Sequence, residues 1–370
     1  MIRSLGFWAI LGFTVGAAGL IGTTLTPTHV TAGTSIWTSP RVTADASTPT
    51  TTSTPTSTSL STLTPAAGNP GTVTITDPGS YSAVYAISDV HGMYGALLKL
   101  LTENHLTDAN GHWTGGHSLL VVIGDSIDKG AQSIDVLDEW IRLQPEAEIA
   151  GGRVVHLLGN HEAEFLADPT PSDDKAKALF DELQSRGIPL EQLTSAQFPR
   201  GGFLRSLPAA ARIGNWVFCH AGFLPDQSWD ELTAQALRLV VAGSYGDAFF
   251  VGDDSLLESK KWWKIGSGSR AHLEARLDAD GLAGVVFGHQ PKALNIVGES
   301  AISDDGRLIK IDNGMAPEAG SHPGSLLLFT NPSELADSSK SGNHAPQVFT
   351  LVHGSRQPLA AESRVELSRK

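Results

Sequence analysis

Eight residues of this 370-residue chain combine a type that holds divalent ions or moves protons with a place just past a short apolar run: Asp89, His91, Asp125, Asp128, Asn160, His161, His220 and His289. All offer carboxylate or amide oxygen, or imidazole nitrogen. Such donors suit hard to borderline divalent cations, and a carboxylate can bridge two of them. Two ions about 3.5–4 Å apart can activate a shared hydroxide and clamp a phosphoryl group for in-line displacement. Taken singly the residues say little. Asp-x-His arises often by chance, and a histidine closing a buried strand is more often a hydrogen-bonded core residue than a ligand. Five such segments in order, each behind a β-like run, make chance a poor explanation.

The elements that must position them alternate. Apolar runs at 84–87, 119–123 and 154–158 end in Ser88-Asp89-Val90-His91-Gly92, Gly124-Asp125 and Gly159-Asn160-His161-Glu162. Between them Tyr94, Leu97, Leu98, Leu100 and Leu101, then Ile134, Leu137 and Ile141, recur at helical spacing, the second helix predicted to stop before Pro145. Unbroken apolar strands alternating with amphipathic helices predict an α/β unit whose sheet is buried on both faces. Polar residues at the strands' C-terminal ends occupy the edge where open α/β sheets bind ligands. Further strands are expected at 216–219 before His220, 284–287 before His289, and at 308–312, 325–329 and 348–352. Residues 163–212, richer in helix formers and charge, predict a helical insertion beside the site.

The motifs SDVHG, GDSIDKG, GNHE, FCHAG and FGHQP, in that order, resemble the calcineurin-like metallophosphoesterases, nearest their phosphoprotein phosphatase branch. The resemblance spans about residues 81–352. GGRVVHLLGNHE, Trp262-Trp263-Lys264 and IDNGM at 311–315 look most like the bacterial and plant Shewanella-like phosphatases. It implies a two-sheet β-sandwich flanked by helices (α+β in the broad sense), with βαβ units carrying the metal site. The implied activity is hydrolysis of phosphomonoesters, phosphoprotein (Ser/Thr or Tyr) or small phosphoester, by direct attack of a metal-bridging hydroxide. Two divalent ions (Mn, Fe or Zn) are the implied cofactors. By resemblance Asp89 and His91 bind one ion, Asp125 bridges, and Asn160, His220 and His289 bind the other. His161 is then the general acid, with Asp128 orienting it and raising its pKa. Asn160 also faces substrate. Pro291 stands where many relatives carry a second histidine after the Gly-His ending, as in the phosphoprotein phosphatase branch.

Two positions depart from the pattern. Lys129 replaces the arginine that closes GDxxDRG, giving a point charge in place of a bidentate fork. Lys264 is matched to a second phosphate-binding arginine, against the plain alternative of a solvated surface cation, and Arg270 is a candidate compensating cation. A dinucleoside-polyphosphate or phosphodiester hydrolase would use the same metals. A weakly active phospho-ligand binding module, or a metal-stabilised interaction protein, would not need the His161–Asp128 pair.

Composition closes other routes. The net charge of −13 and the lack of any Lys/Arg-rich run argue against nucleic-acid partners. The single cysteine, Cys219, excludes an intrachain disulfide framework and a thiolate zinc site. It lies within an apolar run, as a buried hydrophobe would. His161-Glu162-Ala163-Glu164-Phe165 lacks the second histidine of HExxH, so a zincin peptidase is rejected. His156 is expected in the core, His112 and His117 in a loop, and Trp262 and Trp263 in packing or along the cleft. Residues 5–22 form an apolar run after Arg3, and Val30-Thr31-Ala32 has a cleavage-site pattern. Residues 1–32 are therefore expected to be a signal peptide directing the chain to the periplasm or outside, with an uncleaved membrane anchor as the alternative. The expected organisation continues with a Ser/Thr/Pro-rich disordered linker at 33–78, a catalytic domain at 79–352 and a polar tail at 353–370.

Overall fold

The computed structural model describes residues 69–170, 176–260, 262–264, 268–337 and 345–362, all within the second of two compact units, Leu60–Lys370. The expected signal peptide or anchor, most of the expected linker and the last eight positions lie outside the described residues. Among the described residues no helix is long and apolar enough to cross a membrane.

In chain order the elements are β1 (Thr72–Ile75), β2 (Val84–Ile87), α1 (Tyr94–Glu103), β3 (Leu119–Ile123), α2 (Ser133–Ile149), β4 (Arg153–Leu157) and α3 (Asn160–Ala167). Then come α4 (Lys177–Arg186), α5 (Glu191–Thr194), α6 (Pro199–Ser206), β5 (Ala210–Ile213), β6 (Trp216–Cys219), α7 (Trp229–Ala242) and α8 (Gly268–Ala279). The chain continues through β7 (Gly284–Phe287), β8 (Ala301–Ile302), β9 (Leu308–Lys310), β10 (Leu326–Phe329), β11 (Val348–Val352), β12 (Ser355–Gln357) and β13 (Ala360–Ala361).

The strands form two sheets, one ordered β1-β5-β6-β7-β9-β8-β13 and the other β12-β11-β10-β2-β3-β4. The expected parallel core is present: Val84 pairs with Leu119, and Leu119 with Arg153, across the two βαβ units. Every residue of β3 is buried, and alternate side chains serve two cores. Leu119, Val121 and Ile123 face Phe218, Val286 and Phe329 between the sheets. Leu120 and Val122 pack under the helices with Leu97, Leu137 and Trp140. A strand buried on both faces has no polar face to show, which is why these runs are continuous rather than alternating.

Three boundaries differ from expectation. Helix α2 runs through Pro145 to Ile149. Leu143 and Ala147 continue its buried face while Pro145 is exposed, so packing outweighs the helix-breaking cost of about 3 kcal/mol. The folded unit starts earlier than residue 79, because β1 pairs in parallel with β5. The polar tail is also structured in part: β12 pairs with β11, and β13 with β8. These short strands attach by backbone edges with little apolar burial, so side-chain patterning does not reveal them. The insertion at 163–212 is helical through α3–α6, and its last residues form β5.

Candidate metal centre

The ends of β2, β3, β4, β6 and β7 converge on one cavity of about 610 Å³. Asp89, His91, Asp125, Asp128, Lys129, Asn160, His161 and His289 line it, with His220 buried beneath. Asp89, His91, Asp125, Asp128, Lys129 and His289 all adopt positive φ, between 46° and 67°. This left-handed conformation is uncommon away from glycine and tends to cluster at sites where function over-determines the backbone. Here it lets the chain turn off the ends of β2, β3 and β7 while aiming the side chain inward.

Asp125 is the centre. Its Oδ1 accepts the His161 amide at 3.0 Å. Its Oδ2 lies 3.2 Å from His220 Nε2, 3.5 Å from His91 Nε2 and 4.0 Å from His161 Nε2. The donor atoms form two compact sets sharing this carboxylate, His91–Asp125–His161 and Asp125–His220–His289. Asp89 adds an oxygen 3.8 Å from His91 Nε2, while its other oxygen accepts from the Ser88 hydroxyl and from the His289 amide at 3.0 Å. Asn160 Oδ1 lies 3.1 Å from His220 Nε2, and its Nδ2 donates to Glu164 at 3.3 Å, leaving the oxygen turned toward the centre.

The histidines are oriented as ligands. His220 Nδ1 lies 2.8 Å from the Ile123 carbonyl and His91 Nδ1 3.2 Å from the Ile127 carbonyl. A ring N–H donated there leaves the lone pair on Nε2 facing the cavity, the second-sphere arrangement typical of metal-binding imidazole. His289 Nε2 is buried without a hydrogen-bond partner among the described residues. An orphaned buried nitrogen beside a shared carboxylate fits a divalent ion, as does the mixed N/O donor set. Electrostatics agree. Burial works against protonation of His220, yet Asp125 and Asp89 carry its pKa up to about 10. Burial, with the charge of Asp89, also raises Asp312 well above the ordinary carboxylate range. Both shifts trace to carboxylates crowded at one buried point, a field that attracts a cation. The residues present therefore fit divalent metal.

The structure brings together Asp89, His91, Asp125, Asp128, Lys129, Asn160, His161, His220 and His289. Lys129 Nζ reaches into the site, 3.0 Å from His91 Nε2. Lys264 is not brought in: it is exposed and absent from the cavity wall, where Lys260 and Lys177 stand instead. Arg270 compensates nothing in the cavity, because Glu362, Asp305 and Glu274 engage its guanidinium. Trp262 and Trp263 are buried in packing, His156 is in the core, and Cys219 is a buried thiol pushed up to about 12 by burial.

Glu162 has a role the sequence reading missed. Fully buried, it accepts Asp125 and Gly159 amides on Oε2, both at 2.9 Å, and Ser126 and Ile127 amides on Oε1 at 2.8 and 3.2 Å. One carboxylate thus pins the loop that carries Asp125. Its place three residues after Gly159, at capping-box spacing, was the available signal. Glu162→Gln turns an amide NH2 toward two of these donors. It should lower stability by about 2–3 kcal/mol in urea melts at neutral pH. Unchanged melts would remove Glu162 from this role.

Lys310, fully buried on β9, donates to the carbonyls of Pro291 at 3.1 Å and Ile296 at 2.9 Å, bracing the loop after His289. Burial lowers its pKa from 10.5 to about 8, with Asp312, Glu299 and Asp89 opposing. From about pH 8 to 10.5 the folded form has shed a proton that the unfolded chain retains. The lysine's contribution is therefore most favourable above 10.5 and is lost as pH falls to about 8, a span of about 3 kcal/mol. The Lys310→Met chain should lack this rise in stability between pH 8 and 10. Parallel pH profiles of the denaturation midpoint for the two proteins would refute it.

Together the fold and site define a metal-dependent phosphoric ester hydrolase. The sequence profile of the calcineurin-like phosphoesterases matches residues 83–293, and the chain belongs to that family. Shewanella-like protein phosphatase 2 of Arabidopsis thaliana is 25% identical over 285 residues, 62% of this chain and 71% of its own length. A symmetrical bis(5'-nucleosyl)-tetraphosphatase of Methylococcus capsulatus is 30% identical over 155 residues, 42% of this chain and 47% of its own length. The crystal structure of a cold-active protein-tyrosine phosphatase from a psychrophilic Shewanella superposes with a TM-score of 0.59 at 22% identity. It covers 79% of this chain and 83% of that one, and bears on the fold alone.

Proposed function

We propose that this chain is an exported phosphoprotein phosphatase working through a dinuclear metal centre. The observation that carries the reading is the single oxygen, Asp125 Oδ2, shared by two facing histidine sets beside a His161–Asp128 pair. Asp89, His91 and Asp125 would hold one ion, and Asp125, Asn160, His220 and His289 the other. Two divalent ions, when bound, would supply the hydroxide that attacks phosphorus and neutralise charge on the phosphoryl oxygens.

The chain's own residues do the rest. His161 Nδ1 is held 3.2 Å from Asp128 Oδ2, which leaves Nε2 facing the cavity. Burial alone would lower the pKa of His161, but the charge of Asp125 and the bond to Asp128 outweigh it and raise the value. A proton kept on Nε2 is in place for a departing alkoxide. Lys129 brings positive charge to the phosphoryl position without the planar fork of an arginine. The cavity wall beyond the charged residues includes Ala178, Pro291, Ala316 and Ala319, room enough for a phosphorylated side chain. Phosphoprotein is favoured by the Arabidopsis relative and by these apolar walls. Export is favoured by the apolar run at 5–22.

The test is an initial-rate comparison on the purified chain supplied with manganese, using phosphotyrosine peptide, phosphoserine peptide and a diadenosine polyphosphate. Metal-dependent phosphate release from a peptide supports the proposal and shows which side chain is preferred. Cleavage of the dinucleotide alone would transfer the chain to the nucleotide-hydrolase reading suggested by the Methylococcus relative. No turnover with metal bound would leave a phospho-ligand binder.

A further inference from the structure

Two indoles behind the cavity touch both loops that carry His220 and His289. Trp262 Nε1 donates to the Ala221 carbonyl at 2.8 Å, one residue past His220. Its ring stands edge-on to Phe287, the last residue of β7 and two before His289, with centroids 4.8 Å apart. Gly222, at φ 129°, leaves room for that ring, since a Cβ there would run into the indole. Trp263 Nε1 donates to Gln290 Oε1, one residue past His289. Gln290 Nε2 donates in turn to the Ser259 carbonyl at 2.8 Å and to the Ala221 carbonyl at 3.4 Å. The two ligand loops are thus joined through one glutamine and two indoles, all buried.

The chain of contacts continues away from the site. Arg270 Nη1 donates to the Trp263 carbonyl at 3.4 Å and to both Glu362 carboxylate oxygens at 3.0 Å. Arg270 Nη2 reaches Asp305 at 3.3 Å. Glu362 directly follows β13, its side chain has no exposed surface, and its amide donates to the Ile302 carbonyl at 2.9 Å. A buried ion pair costs desolvation that its own attraction barely offsets, so its presence is better explained by the geometry it imposes than by net stability.

We infer that Trp262 and Trp263, the latter anchored through Arg270 to Glu362 beside β13, form a clamp that positions the His220–His289 half of the metal centre. The C-terminal strand thereby belongs to the machinery of the site rather than to the fold alone. The inference rests on the proposed metal centre. None of the four residues touches substrate; each acts through Ala221 or Gln290.

Trp263→Phe keeps an aromatic ring and removes the N–H, and Glu362→Gln removes the carboxylate charge. Full-length variants and parent are compared by manganese titration, by metal content after dialysis, by the rate of metal release to a chelator, and by thermal melting of the chelated protein. Loss of such supporting contacts typically weakens metal about ten- to hundred-fold. The expected result is that loss at one of two equivalents, with faster release, in both variants. Glu362→Gln takes a partner from the buried Arg270 charge and should also lower the metal-free melting temperature. Trp263→Phe is the deciding variant, with a metal-free melting temperature within about 2 °C of the parent. Parental affinity in both variants would overturn the clamp. Affinity lost by Trp263→Phe in step with a fall in its metal-free melting would also overturn it, by showing a structural role only. A parent that binds no manganese would remove the metal-centre reading itself, an outcome distinct from failure of the clamp.

Discussion

Asp125→Asn should abolish metal binding and turnover together while leaving a folded chain. The carboxylate is the single group common to both donor sets, with Oδ2 within 3.2–4.0 Å of His220, His91 and His161. An asparagine can place one oxygen there only by turning its NH2 toward the His161 amide that Asp125 Oδ1 now accepts. The opposite flip puts donor hydrogens where the proposed cations would sit. Either way a formal charge is lost at the carboxylate that both donor sets share. The expected fall in kcat/KM is about three orders of magnitude or more, about 4 kcal/mol of transition-state stabilisation. Manganese titration monitored by calorimetry, with circular dichroism for folding, is the check. A variant that keeps two equivalents and ordinary turnover would remove Asp125 from the centre.

His161→Ala should separate chemistry from metal. His161 Nδ1 is tied to Asp128 at 3.2 Å, and general-acid help is worth about 10²–10⁴-fold. Turnover of a phosphoserine peptide, whose alkoxide is a poor leaving group, should fall by that order. A nitrophenyl phosphate, whose leaving group needs no proton, should be affected far less. Asp128→Asn should repeat the pattern more weakly, since it loosens the imidazole without removing it. His161 also lies in one of the two compact donor sets. Metal content near that of the parent would therefore assign it as acid rather than ligand. Equal losses on both substrates with metal depleted would reverse that assignment.

The site was legible to the extent that strand ends were. Five apolar runs could be read because strands buried on both faces carry few polar residues, and the first donor follows each run within two positions. Side chains whose work depends on reaching across the fold were harder to see. Glu162 reads as one more acidic residue of a helix start, until its carboxylate is found against the amides of Asp125, Ser126 and Ile127. Lys260 and Lys264 are indistinguishable on paper, yet Lys260 lines the cavity and Lys264 does not. Pro145 shows the same limit for an element boundary: local propensity stops α2, and the burial of Leu143 and Ala147 continues it.

Sequence alone therefore determined the α/β order, the parallel βαβ core and the donor set, because residue type and period are local properties that survive in one dimension. Tertiary structure alone decided that Asp125 Oδ2 is the shared atom, that Arg270 is engaged by Glu362 rather than by substrate, and that the two tryptophans lie behind the ligand loops instead of along the cleft. Those outcomes depend on angles and distances between segments up to about 200 positions apart, such as the His289 amide on the Asp89 carboxylate. Packing of the two sheets sets such separations, and no local pattern encodes them.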